Sequence, residues 1–243
     1  MPLVQTSRAS LESLLRARQL DRTLTTSLGE YVEYDVGATG VTALDAIVGG
    51  GFPRGQLSEM AGARSTGRAS LMLSLLAAAT ARGELVALVD ALDMLDVESA
   101  SAAGVDLDRL LWIRGDGFNQ RAMEQAIRAL SLVLSAGMFG LVVFDAGEAP
   151  SGALARLPFT TWLRLQRQIE GRQTICVLVG SEPMARSAAG LTLRIGIREK
   201  GLGIRFSGRL FDGLDVDARV TRARARGHEE ASITLSTLAH GRD

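Results

Sequence analysis

From Gln56 onward, short runs of apolar residues alternate with longer stretches whose apolar positions recur every three or four residues. Strands buried on both faces, joined by helices with one apolar stripe, produce that alternation. The runs "QLSEMAG" (56–62), "ELVALVD" (84–90), "LLWIRG" (110–115), "FGLVVFDAG" (139–147) and "QTICVLVG" (173–180) predict five strands. Between them the pattern predicts helices over 65–83, about 94–103, 118–136 and about 157–169. In the third of these, Met123, Ile127, Leu130 and Leu134 share one face and Gly137 supplies the stop. The last third, with "LTLRIGIRE", "IRFSGRLF" and "DARVTRARARG", alternates residue by residue and predicts antiparallel strands added at one edge. The fold class is α/β, with a mostly parallel central sheet and helices on both faces.

Two stretches fall outside this pattern. Residues 7–20, "SRASLESLLRARQL", set Leu11, Leu14 and Leu15 on one helical face against Arg8, Arg16 and Arg18. A helix of that length is marginal alone in water, so it docks either on its own domain or on a partner. Beyond Gly227 the chain carries both histidines, His228 and His240, without metal-ligand spacing, and reads as a solvated or partner-ordered tail. The expected organisation is an N-terminal helical extension (1–26), a core domain (27–227) and a C-terminal tail (228–243). No internal repeat is visible.

Composition narrows the function classes. The chain has 243 residues, 47% of them hydrophobic, enough for one substantial core. Its formal net charge is zero, so any nucleic-acid contact has to come from a local patch rather than a global field. Lys200 is the only lysine, and this near-exclusive use of arginine reflects base composition before it reflects function. No membrane span or secretory signal is apparent, which predicts a cytoplasmic protein. The single cysteine, Cys176, lies in an apolar run and is expected to be an inert core residue.

The chemistry, if any, centres on "EMAGARSTGRASL" (59–71). A phosphate-binding loop of the form G-x-x-x-x-G-K-[ST] wraps phosphates in backbone amides, reaches them with a lysine and holds Mg²⁺ with a hydroxyl. Gly62 and Gly67 have this spacing, between a strand and a helix, but the next residues are Arg68 and Ala69. The amides around Ser65, Thr66, Gly67, Arg68, Ala69 and Ser70, at a helix start, can still favour an anion. Arginine keeps the charge but not the compact shape of lysine, Ala69 has no oxygen for a metal, and Ser70 is rotated by about 100° from that position. Asp145, ending an apolar strand, is either an acid that helps hold Mg²⁺ or a loop cap. Hydrolysis, bare anion or nucleotide binding, and a turn that merely joins strand to helix all stay open on these residues.

Over about residues 37–225 the chain resembles the RecA family, through "GATGVTALDAIVGGGFPRGQLSEMAG" and "LVDALDMLDVESASAAGVDLDRLLW". The resemblance implies a RecA-like core of the P-loop NTPase type. It also implies losses. Leu92 stands where the family has its catalytic glutamate, Ser99 where a tyrosine stacks on adenine, and Ser181 where a glutamine senses the terminal phosphate. Asp96 matches the family's adenine-side aspartate. Only "SEPMARSAAG" is left where the family opens its long DNA-binding loop. Arg222 and Arg224 match the paired lysines that reach a neighbour's ATP, although the run from Arg219 to Arg226 equally suits a solvated or phosphate-facing strand.

A short RecA-like chain with a decayed ATP site looks like the ImuA family, accessory proteins of SOS-induced mutagenic translesion synthesis. That likeness implies a nucleoid-associated, non-enzymatic role with no functional ATP cofactor and no metal. Its implied partners are an ImuB-type polymerase-like adaptor, RecA, indirectly an error-prone C-family polymerase, and single-stranded DNA. Candidate contact residues are Leu11, Leu14, Leu15, Arg219, Arg222, Arg224 and Arg226. The competing reading is a DNA-dependent RecA-type ATPase in which Arg68 replaces the loop lysine. A division regulator is a third reading that no particular residue supports.

Overall fold

The computed structural model describes residues 35–117, 119–149, 154, 157–185, 190–197, 204–207, 210–223 and 232–236, with backbone only at 204–207, 210–214, 222 and 223. The chain divides into two compact units, Met1–Glu33 and Tyr34–Asp243, and the first lies outside the described residues.

Among the described residues, nine strands of the second unit form one sheet, in the order β11-β10-β8-β3-β7-β6-β4-β5, with β9 paired to β10. Its parallel part consists of β3 (Leu57–Gly62), β4 (Val86–Asp90), β5 (Leu110–Arg114), β6 (Leu141–Asp145), β7 (Ile175–Gly180) and β8 (Leu191–Ile197). β9 (Ile204–Ser207), the long β10 (Leu210–Ala223) and β11 (Ser232–Ser236) extend it antiparallel beyond β8. A two-stranded ribbon, β1 (Val36–Gly37) with β2 (Phe52–Pro53), brackets helix α1 (Thr42–Val48) ahead of β3. The other α-helices among the described residues are α2 (Arg68–Ala81), α3 (Val97–Ala102), α4 (Gln120–Ala136) and α5 (Phe159–Ile169).

The central strands are mostly apolar because both faces are covered, with Ser58 and Glu59 of β3 buried polar residues within them. One core packs Leu75 and Leu76 of α2 and Leu44 of α1 against Leu88, Val143, Val177 and Leu193. The other packs Leu130 and Leu134 of α4 and Trp162 and Leu165 of α5 against Val89, Phe144 and Leu178. Each fully buried leucine contributes about 2 kcal/mol through removal from water. The stripe Met123, Ile127, Leu130 and Leu134 is buried as its spacing predicts, and Asn119 caps α4 by accepting from the Ala122 amide at 2.9 Å. Cys176 is fully buried, and burial pushes its thiol up to about 12.

Two elements differ from the sequence expectation. α1, which buries Leu44 and Val48, is not among the helices the periodicity predicts. The stretch beyond Gly227 is not simply a solvated tail, because residues 232–236 form β11 along β10. "SITLS" alternates, and Ile233 and Leu235 pack against the first core while the serines and threonine face outward. Among the described residues no helix is long and apolar enough to cross a membrane.

Candidate functional site: the loop between β3 and α2

β3 delivers the chain to Gly62 at the C-terminal end of the sheet, and α2 begins at Arg68. Between them Ser65 and Gly67 both adopt the left-handed region, with φ of 61° and 82°. For Gly67 that backbone is free of Cβ strain; for Ser65 it costs about 1–2 kcal/mol. The buried Thr66 hydroxyl donates to the Ala63 carbonyl at 2.8 Å and closes the turn on itself. The loop therefore keeps the strand, turn and helix start of a phosphate loop. Ala69 and Ser70 point to solvent on the first turn of α2.

Arg68 turns inward. It is 8% exposed, and its guanidinium Nη1 donates to the Gly62 carbonyl and, at 3.5 Å, to the Gly180 carbonyl, tying the ends of β3 and β7 together. Its Nη2 donates to Glu148 Oε1 at 2.8 Å, in the loop after β6. The other oxygen of that carboxylate lies 3.6 Å from Arg64 Nε. Both arginines of the loop thus meet one carboxylate. The guanidinium lies so close over Gly147 that a Cβ there would collide with it.

The strand-end acids have different surroundings. Asp145 accepts from the Gly147 amide at 2.8 Å, the geometry of a loop cap. Desolvation pushes its carboxyl up to about 6, with Asp90 and Glu148 adding to the rise and the Gly147 amide and Arg68 opposing it. Asp90, its neighbour in register on β4, is 1% exposed and accepts from the amides of Met94 and Leu95 at 3.0 and 2.8 Å and from Trp112 Nε1 at 3.2 Å. Leu92, just beyond, is buried in the α4 core. Asp96 caps α3, accepting from the amide and hydroxyl of Ser99. On β3, the buried Glu59 accepts from the Met184 and Ala185 amides at 2.7 and 2.6 Å and so fixes the segment that follows Ser181. Among the described residues no three His, Cys, Asp or Glu side chains converge as a metal would require.

A family model of the RecA N-terminal domain matches residues 17–154, more than half of the chain. The chain belongs to the RecA family. It is 30% identical to Protein RecA of Streptomyces venezuelae over 216 residues, covering 78% of this chain and 55% of that protein. It is 29% identical to Protein RecA of Brevibacillus brevis over 191 residues, 71% of this chain and 53% of the other. With Protein RecA of Ectopseudomonas oleovorans it shares 29% over 163 residues, 61% and 45%. The chain thus spans about half the length of the curated RecA relatives it matches.

Within this RecA-family core the structure brings Gly62, Ser65, Thr66, Gly67, Arg68 and Asp145 to one corner. It places Arg219 two strands from β3, exposed on the outer face of β10, opposite Arg194 of β8 and Ser232 of β11. That face mixes signs: Asp215 and Asp217 precede Arg219 on the same side and accept from the hydroxyls of Ser236 and Thr234, both at 2.7 Å, while Arg194 pairs with Glu182. Arg222 follows a register shift in β10, and its side chain, like Leu11, Leu14, Leu15, Arg224 and Arg226, lies outside the described residues.

Sequence reasoning passed over Glu59, Asp90, Gly147 and Glu148. A lone acid inside an apolar strand marks Glu59, and a strand-end acid marks Asp90. Nothing local marks Glu148, because its partner is 80 positions away.

Proposed function

We propose that this chain is a non-catalytic, RecA-like accessory protein of SOS-induced, error-prone translesion DNA synthesis, of the ImuA kind. Its work is to bind an ImuB-type polymerase-like adaptor or RecA itself, and single-stranded DNA through local contacts. The observation that carries the non-catalytic part is the inward Arg68: the cation that would meet a nucleotide's phosphates is bound to Gly62, Gly180 and Glu148. Neighbouring residues agree. Ala69 offers no oxygen to a magnesium ion, Asp145 already accepts from the Gly147 amide, and Leu92 is packed in the core where it can orient no water. These residues fit a magnesium–nucleotide complex poorly.

The work of the protein then belongs to other parts of the chain: the Leu11/Leu14/Leu15 segment and the outer face of β8, β10 and β11. Co-purification of an ImuB-type adaptor or RecA with the full chain tests this. Binding is expected to weaken on deleting residues 1–22 or in Arg219→Glu, and unchanged binding in both would contradict the assignment. Deleting 228–243 is a poorer test, because it removes β11 from the sheet.

A further inference from the structure

We infer that the β3–α2 loop carries its own anion: the Glu148 carboxylate is an internal ligand that holds Arg68 and Arg64 and closes a site that otherwise accepts a polyphosphate. Four observations converge on this. The carboxylate sits between the two arginines of the loop, at 2.8 Å from Arg68 and 3.6 Å from Arg64. Arg68 is nearly buried and has exchanged solvent for this partner and two strand-end carbonyls, so the contact is part of the packed interior. Gly147 leaves room for the guanidinium where any Cβ would collide with it. The backbone of the loop, with left-handed Ser65 and Gly67 leading into the first turn of a fourteen-residue helix, retains the form that presents amides to an anion.

The carboxylate takes a charge-assisted hydrogen bond from Arg68 and a longer ion pair from the exposed Arg64, and a phosphate oxygen would also satisfy these groups, so the two compete for them. Glu148 belongs to the chain and is always present, whereas a free polyphosphate has to displace it. The loop is therefore self-closed at ordinary ligand concentrations. Neutralising the internal carboxylate leaves Arg68 and Arg64 without their anion and opens the loop to one from solution. This inference rests on the non-catalytic reading of the loop but is separable from it by experiment.

Isothermal titration of inorganic triphosphate, and separately of ATP, into the full-length protein at low salt tests the clasp. Wild type is expected to show no saturable binding at millimolar ligand, and Glu148→Gln to bind triphosphate at least about tenfold more tightly, the gain of one charge-assisted contact. Adding Arg68→Ala to that variant should abolish the gain. Gly147→Ala, which dislodges the guanidinium without removing either charge, should reproduce the gain and covers the case in which Glu148→Gln fails to fold. A folded Glu148→Gln or Gly147→Ala that binds no better than wild type overturns the clasp and leaves the non-catalytic reading standing. Turnover of ATP by wild type overturns both.

Discussion

Two regions of the sheet treat charge in opposite ways. Within β3 and at the C-terminal edge of the parallel strands, Glu59, Arg68 and Asp90 are buried, and each is bound by groups of the same chain. On the outer face of β8, β10 and β11, Arg194 and Arg219 are exposed, and Asp215, Asp217, Thr234 and Ser236 form a polar surface beside them. The first region has the outline of a ligand site and satisfies itself. The second presents its polar groups outward. A family fold preserves backbone shape through its core packing, but a ligand site survives only while its side chains are left unspent.

The largest expected effect separates the two arginines. Arg68→Ala strips Glu148 and two strand-end carbonyls of a buried donor and is expected to cost about 3 kcal/mol, discounted because Glu148 is partly exposed. Arg219→Ala, on the open face, should stay within about 0.5 kcal/mol. Urea unfolding of both variants reads the difference, and equal effects would erase the distinction between the regions. Next in size, Glu59→Ala orphans the amides of Met184 and Ala185 and should cost about 2–3 kcal/mol, with faster hydrogen exchange at those two amides.

Asp145 gives a pH-dependent version of the same contrast. Its folded pKa of about 6 lies above the ordinary value near 4, so between those pH values the folded chain binds more protons than the unfolded one. This carboxyl therefore lowers stability as pH rises through that window, and its cost is constant above it. Asp145→Asn should gain on wild type by about 2 kcal/mol between pH 4 and pH 7 in denaturant titrations. A parallel pH dependence in both proteins would show that the carboxyl is not desolvated. The smallest effect concerns the open face: if Arg219 meets a DNA phosphate, Arg219→Glu should reduce the log–log salt slope of single-strand binding by about 0.7, without affecting stability.

Much of the fold was legible because buried strands and striped helices leave a pattern that any linear scan can read. The strands around Met60, Leu88, Phe144 and Leu178 and the stripe of α4 appear within a few residues of their predicted places. β11 was missed although "SITLS" has the period of a strand, because five residues near a polar terminus carry little weight without the edge of β10 beside them. The outline of the loop was legible from Gly62 and Gly67. Its occupant was not: the direction of the Arg68 side chain depends on Glu148 and Gly147, which are distant in sequence, and on the two carbonyls where β3 and β7 end.

The central claim is that the loop at Arg68 is spent on the protein's own structure. Steady-state ATP turnover by the purified full chain, with and without single-stranded DNA, tests it most directly. No turnover above background is expected in either condition; turnover that is stimulated by DNA and lost in Arg68→Ala would restore the ATPase reading.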